Sequence, residues 1–250
     1  MNDKVFNRIE KKYLITEGQK HSLLKLIRHH MSKDRYHKSE VLNLYFDNDH
    51  YDLIAGSIDW VDFKAKIRAR SYAGYDRVYM EIKTKLRPEP RRNKHQEYED
   101  IDDNIGYKRR VMITKNDFEE LINHHVSLES LAARSVETKH DLQIAKEIDY
   151  LIQYHNLSPK ILVTYNRLSY KDDQDFRITF DENLKYRNHN LSFKPSKRDK
   201  IYFKDDHNII MEVKTNTAIP LWFAHKLSEL QIYPQQFSKI GKTYERIMNV

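Results

Sequence analysis

A short stretch of the chain, DFKAKIRARSYA from Asp62 to Ala73, carries a cation at every second position. Because the side chains of a β-strand alternate between its two faces, this spacing predicts a strand with one charged face and one apolar face. The charged face carries Lys64, Lys66, Arg68 and Arg70, and the apolar face carries Phe63, Ala65, Ile67 and Ala69. Four like charges in a row repel each other unless an anion lies against them, so the charged face is a candidate anion-binding surface.

The same pattern, with one charged and one apolar face, occurs in at least six predicted strands. Each sets an apolar face against a face with basic residues and a few carboxylates. The polar positions of these other strands include Glu10, Lys12, Lys108, Arg110, Arg167, Arg177, Thr179 and Asp181. Two segments, YMEIKTK and IMEVKTN, also echo each other, and each places a glutamate and a lysine on one face: Glu81 with Lys83, and Glu212 with Lys214.

Two interpretations of the charged faces follow. They can be the solvated outer faces of an ordinary antiparallel sheet. Alternatively, they can turn inward around a polyanion, since arginine forks match phosphate oxygens and lysines add charge. The scarce carboxylates cannot bind phosphate directly, but they can hold a divalent cation that bridges phosphate oxygens. Basic residues together with a few glutamates on the same strands therefore favour metal–polyphosphate chemistry over a nucleic-acid groove.

The composition limits the class of protein. The 250 residues are 32% charged and 39% hydrophobic with a formal net charge of +7, so an anionic partner is expected. The absence of cysteine excludes disulfides and thiolate metal sites. Neither an apolar signal region at the N-terminus nor a run long enough to span a membrane is present, which predicts a cytoplasmic protein. No GxxxxGK motif is present, so ATP would not be held by a P-loop.

The order of the predicted elements is strands, helices, strands, helices, which predicts an α+β fold with a large antiparallel sheet. Thr16 is the expected N-cap of the first helix, with Gln19 closing a capping box. Two more helices are predicted at 115–126 and 137–156, and two others follow Pro220. Residues 85–105, which contain two prolines and dense charge, are predicted to be an inserted loop within a single domain spanning residues 1–250.

Nine segments together resemble the VTC domain, the polyphosphate polymerase module of the CYTH or triphosphate tunnel metalloenzyme superfamily. They are RIEKKYLI, NLYFDN, KIRARSY, YMEIKTK, GYKRRV, TYNRLSY, FRITFDENL, IMEVKT and FSKIGKTYE. They occur in the order of the family and span nearly the whole chain. The resemblance implies an eight-stranded antiparallel β tunnel, or barrel, flanked by helices.

The resemblance also implies an enzyme that transfers the γ-phosphoryl group of ATP to a growing polyphosphate chain with Mn²⁺ or Mg²⁺. The implied catalytic residues are Arg68, Arg70, Lys83, Arg167, Arg177, Lys214 and Lys239. The implied phosphate-binding residues are these seven together with Lys12, Lys66, Lys108 and Arg110. Glu212 is the implied principal metal ligand, with Glu81 and Glu10 as further candidates.

Two features depart from the family pattern. The 85–105 insertion separates the EIK strand from the YKRR strand. The regulatory module and membrane helices of fungal members do not appear in this sequence, so coupling to a membrane would require a partner protein.

ATP, triphosphate and polyphosphate are the expected partners, and no specific nucleic acid is expected. Two alternative functions stay open: a tunnel-type triphosphatase that hydrolyses inorganic or organic triphosphates, and a non-catalytic polyphosphate-binding protein.

Overall fold

A computed structural model describes residues 9–56, 63–86, 105–135, 138–203 and 209–248. The strands are β1 (Ile9–Ile15), β2 (Ser32–Asp47), β3 (Phe63–Tyr72), β4 (Val78–Leu86), β5 (Ile105–Ile113), β6 (Ser158–Lys171), β7 (Arg177–Arg187), β8 (Lys200–Ile201) and β9 (Ile209–Thr215). The helices are α1 (Glu17–His30), α2 (Asp52–Gly56), α3 (Lys115–Asn123), α4 (Leu128–Ala132), α5 (Lys139–Tyr154), α6 (Leu221–Glu229) and α7 (Lys239–Met248). Most of the predicted insertion at 85–105 lies outside the described residues.

The strands hydrogen-bond in the order β1-β9-β7-β6-β2-β3-β4-β5, and the two-residue strand β8 pairs with β7. The pairs β1–β9, β7–β9, β3–β4 and β4–β5 are antiparallel. The predicted α+β fold, an eight-stranded antiparallel sheet with flanking helices, is therefore confirmed. None of the described helices is both long and apolar enough to cross a membrane.

The chain divides into two compact units. The first unit comprises Met1–Val41, Thr164–Tyr186 and Ser196–Lys239, and the second comprises Leu42–Val163, Arg187–Pro195 and Ile240–Val250. Each unit has its own hydrophobic core.

The core of the first unit forms because α1 and the strands each bury one apolar face. Thr16 and Gln19 make the predicted capping box, so α1 begins where its sequence signals it. Leu23 and Ile27, which are one turn apart, are fully buried. They belong to a cluster with Tyr13, Ile15, Phe176, Ile178, Phe180, Met211, Val213 and Phe223. The alternate residues of β1, β7 and β9 consequently form a second, polar face.

The second unit is organised in the same way around β3, β4 and β5. β3 and β4 form an antiparallel pair, and Ile67 pairs with Ile82 in its register. Alternate residues on these strands pack against α3, α4 and α5. This core contains Ile67, Ala69, Val78, Met80, Ile82, Val111, Ile113, Phe118, Leu128, Leu131, Ile144 and Ile148. The charged residues between them lie on the opposite face, as the alternation predicts.

Three local elements differ from the sequence-based expectations. The helix predicted at 115–126 ends at Asn123, and His125 has a φ of 54° that an α-helix cannot contain. The five-residue helix α4 was not predicted; Ser127 is its N-cap, and the backbone N–H groups of Leu128 and Glu129 donate to the Asp149 carboxylate of α5, a contact distant in sequence. The helix predicted at 137–156 is α5, which begins at Lys139 and ends at Tyr154.

Candidate functional site

The polar face of β1, β9 and β7 arranges six side chains in two cross-strand rows. Residues opposite each other in an antiparallel pair lie on the same face with Cβ atoms about 5 Å apart. The first row is Glu10, Lys214 and Arg177, and the second is Lys12, Glu212 and Thr179. These six residues, together with Arg167, Asp181 and Lys239, are called the first-unit surface.

Lys214 joins the two glutamates of this surface. Its Nζ lies 2.7 Å from Oε1 of Glu212 and 3.2 Å from Oε2 of Glu10. Lys12 Nζ lies 3.5 Å from Oε1 of Glu10 and donates a hydrogen bond to the carbonyl oxygen of Phe237. Because Phe237 stands two residues before Lys239, Lys12 also helps to fix the segment that leads to Lys239.

Asp181 anchors the two remaining cations of the first-unit surface. Its fully buried carboxylate accepts two hydrogen bonds from Arg167, at 2.6 Å from Nε and 2.7 Å from Nη2. It also lies 2.7 Å from Nζ of Lys239. Both cations lie over the ring of Tyr165, at 5.3 Å for Arg167 and 5.0 Å for Lys239, where the π face attracts them.

The network keeps its members charged despite their burial. Burial alone would raise the pKa of Glu212, but Lys214, Lys239, Arg167 and Lys12 hold that pKa well below its usual range. Burial opposes the charge of Asp181 in the same way, and Arg167 and Lys239 lower its pKa. At neutral pH this surface therefore carries both carboxylates ionised beside fixed cations.

Arg177 is held in position by Asp34 and Ser169. Its Nη2 lies 3.0 Å from Oδ2 of Asp34, and its Nε donates to the Ser169 hydroxyl at 3.2 Å. That hydroxyl also donates to Asp34 at 3.1 Å, so the three groups form a closed triangle. The guanidinium keeps an exposed side, because 39% of the side chain remains accessible.

The polar face of β3, β4 and β5 forms a second set of cross-strand rows. One row consists of three lysines, Lys66, Lys83 and Lys108, and the next consists of Arg68, Glu81 and Arg110. These six residues and Arg70 are called the second-unit surface. Like charges placed directly opposite each other repel, so an anion is the kind of ligand that such a row attracts.

Glu81 is the buried counterion of the second-unit surface. Its carboxylate, 2% exposed, lies 2.6 Å from Nη2 of Arg68, 2.6 Å from Nζ of Lys108 and 3.9 Å from Nε of Arg70. Arg70 Nε donates to Oδ1 of Asn43 at 2.8 Å, and Arg68 Nη1 donates to the Tyr45 hydroxyl at 3.2 Å. The carboxylate, amide and phenol groups fix the direction of both guanidinium groups.

The pKa values of this surface reflect the crowding of its charges. Burial alone would raise the pKa of Glu81, but Arg68, Arg70 and Lys108 lower it to about 2. Burial lowers the pKa of Lys108 to about 8, and the nearby Arg70 and Arg68 act in the same direction against the pull of Glu81. Lys108 therefore lies close to its titration midpoint in mildly alkaline solution.

The predicted metal ligands differ in how well they fit a divalent cation. Glu212 and Glu10 reach one ammonium group together, so they could supply one or two carboxylates to a cation that completes its shell with phosphate oxygens, as Mg²⁺ does. Glu81 fits less well, because its carboxylate contacts Arg68 and Lys108, whereas Glu212 shares its lysine with a second carboxylate, that of Glu10. In the described part of the chain, no three His, Asp or Glu side chains group to form a complete metal site.

All the predicted site residues lie on these two surfaces. The first-unit surface brings together Glu10, Lys12, Arg167, Arg177, Glu212, Lys214 and Lys239, and the second-unit surface brings together Lys66, Arg68, Arg70, Glu81, Lys83, Lys108 and Arg110. The side chains that hold these site residues in position were not assigned from the sequence. The alternation of side chains along the strand placed Asp181 on a charged face. The ion pair between Asp181 and Lys239 could not be predicted, because it depends on the fold.

Replacing Asp181 with asparagine tests the buried ion network. We expect Asp181→Asn to lower the free energy of unfolding by about 3–5 kcal/mol, because Arg167 and Lys239 lose a buried counterion. Since the folded pKa of Asp181 is lowered, its stabilisation is present at neutral pH and is lost as the pH falls. The difference from wild type should therefore shrink in acid, as measured by urea unfolding.

Asp49→Asn is the matched control, because Asp49 also pairs with a lysine but is 91% exposed. Exposed ion pairs contribute little to stability, so this variant should unfold like the wild type. Equal effects of the two substitutions would contradict the structural role of Asp181.

Lys108 should make anion binding depend on pH. Its ammonium is protonated below the pKa of about 8 and neutral above it, whereas Arg68 and Arg70 stay charged throughout. Long-chain polyphosphate should therefore bind several-fold more weakly as the pH rises through this value, as measured by calorimetry. In Lys108→Arg the side chain keeps its positive charge, so the loss of polyphosphate affinity with rising pH should be smaller. The protonation of the polyphosphate itself changes identically in both experiments. An identical pH profile for both proteins would refute the assignment.

Comparison with curated proteins finds no match. Among solved structures, the PH1819 protein from Pyrococcus horikoshii OT3 is 10% identical in sequence at a TM-score of 0.45, over 96% of this chain and 99% of that chain. HpAC1 from Hippeastrum, which is described as having a dominant triphosphatase activity, is 13% identical at a TM-score of 0.47, over 93% of this chain and 92% of that chain.

A family model gives the decisive comparison. The model described as the VTC domain matches residues 7–248. This match includes every residue of the two surfaces described above. It agrees with the resemblance drawn from the nine sequence segments and with the antiparallel sheet and flanking helices of the triphosphate tunnel fold. The chain belongs to the VTC domain family.

Proposed function

We propose that this protein is a metal-dependent phosphotransferase that transfers the γ-phosphoryl group of ATP to a growing inorganic polyphosphate chain. The observation that carries the proposal is the arrangement of arginines and lysines in cross-strand rows around single buried carboxylates, Asp181 in the first unit and Glu81 in the second. Membership of the VTC domain family supports the same conclusion. A single family model spans residues 7–248, which supports one functional domain over residues 1–250.

The first-unit surface has the groups that phosphoryl transfer requires. The transition state spreads negative charge over the equatorial oxygens of the transferred group, so catalysis consists mainly of positioning and electrostatic stabilisation. Arg167 and Lys239 are fixed by Asp181, and a fixed cation needs little reorganisation during the reaction. In the reaction, a terminal oxygen of the acceptor chain bonds to the γ-phosphorus while the bond to the β–γ bridging oxygen breaks, and ADP leaves with that electron pair. No nucleophilic side chain takes part.

The carboxylates of the first-unit surface are the proposed metal-binding groups. Glu212, with Glu10 beside it, would hold Mn²⁺ or Mg²⁺ through carboxylate oxygens. The bound cation would neutralise charge on the phosphate oxygens. Lys214 touches both carboxylates, so its ammonium keeps them together and would itself contact phosphate when a metal is bound.

The second-unit surface supports polymerase activity over simple hydrolysis. A polymerase must bind two phosphate chains, a donor and an acceptor, whereas a hydrolase binds one chain and water. The second-unit surface carries the lysine row Lys66, Lys83 and Lys108 beside Arg68 and Arg110. Cations on three neighbouring strands favour a long polyanion, with phosphates spaced along the chain.

Incubation of the purified protein with ATP and Mn²⁺ or Mg²⁺ tests the proposal. Long anionic chains on a denaturing gel, formed together with ADP, are the expected products. Orthophosphate without chains would support the triphosphatase alternative. Tight polyphosphate binding without turnover would support the non-catalytic alternative.

Glu212→Gln tests the proposed metal ligand. We expect turnover with either metal to fall by roughly a hundredfold or more, because the principal carboxylate is lost. Metal-free triphosphate should bind at least as tightly as to the wild type, because a negative charge facing the phosphates is removed. Unchanged metal-dependent turnover would show that the metal assignment is wrong.

Arg68→Ala tests the second-unit surface. We expect activity to fall by roughly a hundredfold, because Arg68 is a fixed cation on the proposed phosphate-binding face. The control is Arg109→Ala, which removes one positive charge from the opposite face of β5, where Arg109 pairs with Glu147. The control should keep most of the activity, and circular dichroism should show that both variants are folded. Equal losses in the two variants would contradict a specific role for this face.

A further inference from the structure

Thr179 lies at the centre of the first-unit surface but makes none of its contacts. It occupies the row of Lys12 and Glu212, between Arg177 and Asp181 on the same face of β7. Its side chain is 3% exposed. Within the part of the chain that the structure describes, its hydroxyl Oγ1 has no hydrogen-bond partner. Neither the pattern of charges nor the family resemblance assigns it a role.

A buried hydroxyl without a partner is unusual and costs stability. Native proteins pair the great majority of their buried polar atoms, and an exception calls for an explanation such as a missing ligand. Its neighbours Arg177 and Asp181 already have partners, in Asp34 and Arg167 respectively. Glu212, which stands directly opposite Thr179 in the register, is paired with Lys214 and does not accept a hydrogen bond from the hydroxyl. The Thr179 hydroxyl therefore has a proton to donate and no acceptor for it among the described residues.

A phosphate chain supplies that acceptor. Ionised phosphate oxygens only accept hydrogen bonds, and the cations around Thr179 would draw such a chain onto this face. We propose that the Thr179 hydroxyl is a substrate contact that donates a hydrogen bond to a non-bridging oxygen of a triphosphate bound on the first-unit surface. The inference rests on the proposed function for the identity of the ligand, and it adds a neutral donor to a site otherwise made of charges.

Thr179→Val separates this role from a structural one, because valine keeps the shape of the side chain and removes only the hydroxyl. The protein without ligand should melt at the same temperature as wild type or higher, since an unsatisfied polar group is removed. Inorganic tripolyphosphate, added without metal, should bind about tenfold more weakly by calorimetry, which corresponds to about 1.4 kcal/mol. Thr179→Ser, which restores a hydroxyl, should recover most of that affinity.

Thr215→Val provides the matched control. Thr215 is also buried, but it lies on the opposite face of β9, and its hydroxyl accepts a hydrogen bond from the backbone N–H of Thr217 at 3.2 Å. We expect this substitution to lower the melting temperature and to leave tripolyphosphate affinity unchanged. The two valine variants should therefore show opposite patterns.

Two outcomes would overturn the inference. If Thr179→Val lowers the melting temperature and keeps wild-type affinity, the hydroxyl serves the fold, for example through a buried water molecule. If Thr179→Val binds tripolyphosphate like the wild type without any change in melting temperature, the hydroxyl contacts no phosphate. Failure of the wild type itself to bind tripolyphosphate would instead refute the proposed function, so the two failures are distinguishable.

Discussion

Repulsion between like charges on one face of a sheet is the constraint on which this structure depends. In each unit a carboxylate buried among the cations reduces this repulsion: Asp181 in the first unit and Glu81 in the second. Each carboxylate binds an arginine and a lysine from different elements. These contacts hold the cations in fixed directions, so the positive face is both stable enough to fold and organised enough to bind an anion.

The balance of charge differs between the two surfaces, and the difference bears on what each can bind. On the first-unit surface Glu10, Asp181 and Glu212 accompany five cations, so much of its charge is already paired. On the second-unit surface Glu81 contacts Arg68, Lys108 and Arg70. In the proposed function, the first would hold a compact phosphate group with a metal ion, and the second would hold the repeated charges of a polyanion.

The period-2 alternation of the strands was enough to predict which residues share a face, because side-chain direction along a strand is a local property. It placed Arg68 with Lys66, and Arg177 with Asp181, and the structure confirms both placements. It could not predict which cation each carboxylate binds, since Lys239 reaches Asp181 from a helix distant in sequence. It likewise could not show that Asp149 of α5 accepts hydrogen bonds from the first backbone N–H groups of α4.

The echo between YMEIKTK and IMEVKTN shows how neighbouring strands change the chemistry of one local motif. Both segments place a glutamate two residues before a lysine on a polar strand face. In the register of the sheet, Glu81 stands between Arg68 and Arg110, so its carboxylate serves as a counterion to neighbouring cations. Glu212 stands between Lys12 and Thr179, a cation on one side and a neutral hydroxyl on the other. Glu212 is the better candidate to hold a metal, because a second carboxylate, that of Glu10, lies against the same lysine, Lys214, so two carboxylates could reach one cation.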